Sequence, residues 1–193
     1  MLYHYITAVA LGVSLSACCG FRIFIPLLIA SIAGKFGWLP ISSGFEWLAT
    51  FPTIIAFGVA SLVEVLAYYI PVLDNFLDTL TTPSSIVAGT VISASVFVDF
   101  DPFIKWTLAL IAGGGSAGII QAGTGLLRLG STKLTAGTGN FAVASAENTC
   151  SILGSFFSLL MPFIMVFVFM GLVAVILYFL GKKLFSKLTL YRK

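Results

Sequence analysis

Long apolar runs, separated by short polar or proline-containing segments, make up most of the chain. The runs are Tyr5–Lys35, Pro52–Ile70, Pro83–Val98, Phe103–Arg128 and Phe141–Gly181. A helix needs about 20 residues to cross a bilayer, and each run is close to that length or exceeds it. Strand-like alternation is absent, which favours a helical bundle over a barrel. The pattern therefore predicts an all-α integral membrane protein with five to six transmembrane helices.

Two of these runs contain residues that interrupt a helix. Within Ser16–Pro26, Gly20 loosens the backbone, Pro26 removes a helical hydrogen bond, and Arg22 lies between them. We expect a broken helix there, or two half-helices that form a re-entrant hairpin. Phe141–Gly181 is too long for one simple crossing, and Pro162 is expected to divide or kink it.

Two polar segments are predicted to connect the runs. Val72–Thr82 carries Asp74 and Asp78 four residues apart, with apolar residues opposite, which is typical of a short amphipathic helix in the membrane interface. The two aspartates are expected to be solvated or to cap a neighbouring helix; turned inward, they would guard an entrance for cations. Gly130–Gly139 is rich in Gly, Ser and Thr and is predicted to be a polar loop.

Composition and charge agree with a membrane location. The chain is 59% hydrophobic and 9% charged, with a mean hydropathy of +1.10, whereas soluble domains carry about 25% charged residues. We predict one multi-pass domain over residues 1–181, in the inner (plasma) membrane of the cell. Basic residues crowd the tail, 182–193, which places the C-terminus in the cytoplasm. This cluster is short and juxtamembrane, so it implies no nucleic-acid partner.

Charged and amide side chains within the apolar runs are the candidate site. Arg22, Glu64 and Glu147 are the charged members, and Gln121 and Asn140 could add amide groups. An ionised side chain in hydrocarbon costs several kcal/mol, so such residues are expected to face one another or a polar cavity. Two interpretations stay open: an arginine–glutamate pair that only fixes the bundle, or a site that binds an ion or a polar solute. Asn140 could also be a plain helix N-cap.

The number of carboxylates bears on this choice. One arginine facing Glu64 and Glu147 leaves one carboxylate without a partner, unless Arg128 or Lys133 supplies it. A buried carboxylate without a partner could carry a proton or bind a cation.

Small residues and a weak internal symmetry mark the second half of the chain. Gly114, Gly118 and Gly125 share a helical face with Gln121, which favours close helix packing and is compatible with a homo-oligomer. An arginine followed by a glutamate-bearing helix occurs first at Arg22 and Glu64 and again at Arg128 and Glu147. Two weak internal repeats would suit a transporter with a site at their interface.

Enzymatic chemistry finds little support in the sequence. The single histidine is His4, near the terminus, so no histidine-based acid–base pair or metal cluster is expected in the core. GGGSAG lacks the Lys–Ser/Thr pair of a phosphate-binding loop, and the three cysteines form no metal or haem motif. We therefore predict no enzyme activity, no metal site and no cofactor.

Three segments together resemble a known family of bacterial membrane proteins. They are SACCGFRIFIPLL, EVLAYYIPVLDNFLDTLTTP and GGGSAGIIQAGTGLLRLGSTKLTAGTGNFAVASAEN. They are similar to the family catalogued as domain of unknown function 4126, over about Leu11 to Ser151. The family pattern has an alanine-rich segment where this chain has Cys18 and Cys19. The resemblance implies one membrane domain with helical spans, and it implies no substrate or reaction.

Two functions from different classes follow from these patterns. The first is a small secondary transporter or channel for a small ion or polar solute, with proton coupling through a buried glutamate. The second is a non-transporting membrane module that binds lipid or a partner protein, suggested by the glycine-rich run, the Val72–Thr82 segment and the basic tail.

Overall fold

The computed structural model describes the backbone of residues 2–135 and 137–191, with the side chains in these ranges except 71–79, 180 and 183–191. This described part is all-helical and contains seven helices and no strand. A short 3₁₀ helix, Glu46–Ala49, lies between the second and third helices. The seven helices are α1 (Leu2–Cys18), α2 (Phe24–Lys35), α3 (Phe51–Ala67), α4 (Pro71–Val96), α5 (Pro102–Thr135), α6 (Asn140–Leu160) and α7 (Pro162–Tyr191).

The two predicted interruptions are confirmed. The chain leaves helical geometry after Cys18 and resumes it at Phe24, so the first run is a broken helix. Pro162 begins α7 directly after α6 ends at Leu160. Helix α7 then continues beyond Gly181 into the basic tail.

The prediction of two separate elements around Pro83 is wrong, because α4 is one helix that contains this proline. A proline removes the helical hydrogen bond to the carbonyl four residues before it, here that of residue 79, and a helix can continue through this loss. Directly after the proline, the Ser84 hydroxyl adds a hydrogen bond to the Leu80 carbonyl at 2.8 Å. The side chains of Asp74 and Asp78 lie outside the described residues.

The predicted polar loop is much shorter than expected. Helix α5 runs on to Thr135, and α6 begins at Asn140. Hydroxyl groups support the last turns of α5, since Thr135 donates to the Ser131 carbonyl at 2.7 Å. Gly137 makes the turn with a φ of +93°, a conformation that only glycine adopts readily.

The core forms where α1, α4 and α5 approach closely. Helix α5 contains a π-helical segment, Ala109–Gly114, at this contact. A side chain at Gly113 would lie 2.8 Å from the Gly89 carbonyl oxygen of α4. The Ser16 hydroxyl of α1 also binds the Gly89 carbonyl at 2.6 Å. The small residues therefore permit backbone-to-backbone packing within one chain.

The predicted packing role of Gly114 and Gly118 is confirmed, and it is intramolecular. A Cβ at Gly118 would lie 2.8 Å from Ile86 of α4, and one at Gly114 would lie 3.0 Å from the Ile86 carbonyl. Gly125 has open space around it. Because α4 covers this face, the face is not available to a second copy of the chain.

Much of the outer surface of the bundle is apolar. By length and composition, α5 and the Pro162–Phe179 part of α7 could cross a membrane. Only 6% of the Pro162–Phe179 window is buried inside the protein. Shorter apolar helices of 10–17 residues are α1, α2, α3 and the Leu80–Val96 part of α4.

Candidate functional site

The break between α1 and α2 places Arg22 inside the bundle. Gly20 lies directly against α5, where a Cβ would be 2.5 Å from the Ala117 carbonyl oxygen and 2.6 Å from Ile120. Glycine is therefore required for this close approach. The chain turns here, and the Arg22 side chain is 1% exposed.

Arg22 is held by side chains and a carbonyl group of α6 and by the carbonyl group of the residue before it. Its Nη1 lies 2.8 Å from Glu147 Oε2, and its Nε donates to Asn148 Oδ1 at 2.5 Å. Its Nη2 and Nη1 donate to the carbonyls of Ala144 and Phe21 at 3.2 and 3.1 Å. These charge-assisted hydrogen bonds use all three nitrogens of the planar guanidinium group and together fix its orientation.

A second arginine, Arg128 of α5, binds the same carboxylate oxygen of Glu147. Arg128 and Glu147 are each 3% exposed. The guanidinium carbons of Arg22 and Arg128 also lie 3.9 and 4.0 Å from the ring centroid of Tyr68. Two buried cations thus share one carboxylate oxygen and one aromatic ring.

Glu64 of α3 caps the start of α2. Its two carboxylate oxygens accept hydrogen bonds from the backbone N–H groups of Ile23, at 2.7 Å, and Phe24, at 3.0 Å. A carboxylate is favourable there because the first N–H groups of a helix have no partner within the helix and carry partial positive charge. Glu64 therefore fixes the direction of the chain immediately after Arg22.

Polar side chains extend this cluster on two sides. Asn148 donates to the Tyr69 hydroxyl at 3.2 Å. On the other side, Gln121 donates to the Thr81 hydroxyl at 2.9 Å, and Thr81 interacts with Tyr68. Gln121 is thus linked to the arginines through two side chains rather than directly.

The sequence-predicted site residues are distributed unevenly around this cluster. The structure brings Arg22, Glu64 and Glu147 together, and it links Gln121 to them indirectly. Asn140 stands seven residues before Glu147, a separation of about 10 Å along α6. It donates to the Thr132 hydroxyl of α5. The N-cap interpretation is wrong, since Gly139 occupies the cap position.

Sequence reasoning left Asn148 and Tyr68 out of the site and named Arg128 only as a possible partner of a glutamate. Asn148, Tyr68 and Arg128 all lie on polar faces that the helical spacing shows, but spacing within one helix does not reveal contacts between helices. The recurring arginine–glutamate pattern was the strongest available signal, because it named Arg128 as an equivalent of Arg22.

The charges of Arg22, Arg128, Glu64 and Glu147 sum to zero when all four are ionised. The second oxygen of Glu147, Oε1, is buried and has no hydrogen-bond partner among the described residues. The cluster therefore holds a carboxylate with one oxygen fully used and one oxygen available for a proton or for another donor. Among the described residues, no group of three His, Cys, Asp or Glu side chains could hold a metal ion.

The chain belongs to the family described as "Domain of unknown function (DUF4126)", whose model matches residues 9–182. This confirms the resemblance found in the sequence. The match includes every residue of the arginine–glutamate cluster. No curated protein and no solved structure matches the chain.

Proposed function

We propose that this member of the family is a multi-pass membrane protein whose arginine–glutamate cluster is the solute site of a small secondary transporter. The observation that carries the proposal is the meeting of Arg22, Arg128 and Glu147, all 1–3% exposed, beside a broken helix. Insertion scales assign about 2.5–3.5 kcal/mol to one such charge at the centre of a membrane helix. Transporters place solute sites where interrupted helices meet.

The apolar outer surface supports the membrane part of the proposal. Large exposed hydrophobic side chains recur along α3 and α7, including Ile55, Leu62, Phe167 and Phe179. Apolar patches of this extent are unfavourable in water. We propose five to six crossings in the inner membrane, with the C-terminus in the cytoplasm because basic residues follow α7. Reporter fusions at both termini test this orientation.

The geometry of Glu147 supports coupling to protons. Both arginines bind Oε2, so a proton on Oε1 would neutralise the carboxylate without first displacing either guanidinium. Protonation weakens both ion pairs because the remaining charge on Oε2 is lost. A polar solute could then compete for the guanidinium groups of Arg22 and Arg128.

Flux measurements in proteoliposomes test the proposal. Purified protein is reconstituted with a pH-sensitive dye inside, and proton movement is recorded as gradients of small ions and polar solutes are imposed. We expect solute-dependent proton flux that Glu147→Gln abolishes. Thr149→Ala is the matched control, because Thr149 lies on the exposed face of α6 and, among the described residues, its hydroxyl bonds only the Ser145 carbonyl. Absence of flux under every gradient would refute transport.

A second candidate function is lipid binding without transport. A cavity of about 400 Å³ lies against α2, α3 and α4. Its lining is almost entirely apolar and includes Phe24, Leu27, Phe57 and Val87. Such a groove could hold a lipid acyl chain. Native mass spectrometry that finds one retained lipid per chain, together with no flux, would favour this function.

A further inference from the structure

A cavity of about 620 Å³ lies at the end of the bundle that is far from the arginine–glutamate cluster. Its walls come from the first turns of α1, the connector after α2, the end of α4 and the junction of α6 with α7. Leu159 of this lining stands twelve residues after Glu147, a separation of about 18 Å along α6. Pockets of about 300–1,000 Å³ suit small molecules. The cavity is therefore separate from the cluster and large enough for a ligand of its own.

The lining of this cavity, which we name the Asp99 cavity, changes from apolar to polar between its base and its mouth. Leu11 and Val96 are buried, whereas Tyr5, Trp38 and Asp99 are exposed. Asp99 is the only acidic residue among the described residues of the lining. A ligand that fits this arrangement has an apolar part and one polar group that suits a carboxylate.

The backbone at Asp99 has a conformation that glycine adopts most easily. Its φ is +62°, and among the described residues Asp99 is the single non-glycine residue with a positive φ. Aspartate tolerates this conformation better than most residues do. The Tyr5 hydroxyl donates to the Asp99 carbonyl at 3.3 Å, and the Tyr5 ring lies edge-on to Phe100 with 4.8 Å between centroids. The backbone, rather than the carboxylate, therefore holds Asp99 in place.

The Asp99 carboxylate forms no hydrogen bond or ion pair among the described residues. Other charged groups of the same connector are engaged, since Asp101 caps α5 and Lys105 donates to the Ser42 hydroxyl at 2.8 Å. His4 also lines the cavity, and within the described part of the chain no ion pair joins it to Asp99. The mouth of the cavity therefore carries one negative charge that no described cation balances.

We infer that the Asp99 cavity binds a small organic ammonium ion that carries an apolar substituent. The ammonium group pairs with the Asp99 carboxylate and contacts the rings of Tyr5 and Trp38, because cations are attracted to aromatic faces. The substituent lies against the apolar base of the cavity. The carboxylate repels an anion, and a neutral alcohol leaves it without an ionic partner. A divalent metal needs several oxygen ligands, and the described residues contain no group of three His, Cys, Asp or Glu that could supply them.

Fluorine NMR of the full chain in detergent, labelled with fluorotryptophan, tests the inference. The three tryptophans report on different surfaces: Trp38 lines the Asp99 cavity, Trp47 lines the apolar groove of α2, α3 and α4, and Trp106 is exposed on α5. We expect butylammonium to shift the Trp38 signal saturably and to leave the other two unchanged. Butanol and butyrate should bind at least about tenfold more weakly. Equal binding of butanol, or a saturable shift of Trp47 alone, would overturn the inference.

Variants separate the charge of Asp99 from the shape of the cavity. Asp99→Asn keeps the size of the side chain, and asparagine also adopts a left-handed backbone, so the fold should be preserved. This variant should bind butylammonium at least about tenfold more weakly. Glu46→Gln is the matched control and should bind as the wild type does, because Glu46 is an exposed carboxylate outside the described lining. Unchanged binding by a folded Asp99→Asn protein would refute the inference. If that variant does not fold, the wild-type comparison of butylammonium with butanol decides the question.

Nanodiscs distinguish a lipid headgroup from a free amine as the source of the ammonium group. Phosphatidylethanolamine carries a primary ammonium group, whereas phosphatidylglycerol carries none. A Trp38 shift between nanodiscs of these two lipids, absent in Asp99→Asn, would assign the cavity to the lipid headgroup. A saturable shift with butylammonium and none between the lipids would assign it to a free amine. Neither measurement depends on flux or on Glu147, so this inference and the proposed transport can fail separately.

Discussion

Removing the Arg22 side chain should destabilise the wild type much more than a variant in which residue 147 is neutral, because the Glu147 carboxylate binds two arginines. In the wild type, Arg22→Met breaks the 2.8 Å pair with Glu147 and leaves the four-residue cluster with a net charge of −1. Breaking a buried pair costs about 3–5 kcal/mol. The Arg128–Glu147 pair remains. We therefore expect a loss of folding stability at the lower end of this range, about 3 kcal/mol.

The same substitution should change the free energy of unfolding very little once residue 147 is neutral. Glu147→Gln alone leaves both guanidinium groups without the carboxylate that they share, and we expect about 5 kcal/mol of destabilisation. Adding Arg22→Met returns the cluster to zero charge, so the second change should cost less than about 1 kcal/mol or stabilise the protein. The coupling energy between the two positions is then at least about 2 kcal/mol.

Unfolding in mixed micelles, with a rising fraction of denaturing detergent and tryptophan fluorescence as the signal, measures all four proteins of this cycle. The control is Lys133→Met, which removes an exposed cation from α5 and should have the same small effect in both backgrounds. An equal cost of Arg22→Met in the wild type and in Glu147→Gln would show that the shared carboxylate does not stabilise Arg22.

Three further predictions concern the parts that hold the cluster. Gly113→Ala should destabilise the protein by about 1–3 kcal/mol in the same unfolding assay, because a Cβ there would meet an α4 carbonyl. The control is Gly115→Ala, which has open space around it and should be neutral or stabilise the protein by up to about 1 kcal/mol. Glu64→Ala should cost about 1–2 kcal/mol and speed hydrogen exchange of the Ile23 and Phe24 amides, since it removes their cap. Tyr68→Leu should cost about 1–2 kcal/mol, and a smaller loss in an Arg22→Met background would confirm the ring contact.

Features that depend on local chemistry could be predicted from the sequence. The break after Cys18 and the division at Pro162 follow from glycine and proline in otherwise apolar runs. The shared face of Ser61, Glu64 and Tyr68 follows from helical spacing, and all three are buried. These features require no knowledge of which helices are neighbours.

Departures from local propensity within a helix, and contacts between helices, could not be predicted in the same way. The glycine, serine and threonine content of Gly130–Gly139 indicated a loop, but hydroxyl-to-carbonyl bonds carry α5 through to Thr135. Pro83 indicated a helix start, but α4 accommodates it. The sharing of Glu147 by two arginines joins residues 125 and 19 positions apart, and helical periodicity contains no information at that range.

The π-helical segment Ala109–Gly114 determines the direction in which each later side chain of α5 points around the helix axis. A π-turn accommodates one residue more than an α-turn, and each α-helical residue rotates the chain by about 100°. Deleting a single residue there would swing Arg128 around the axis and away from Glu147. Helix α5 should therefore tolerate exchanges among small residues far better than any change in its length.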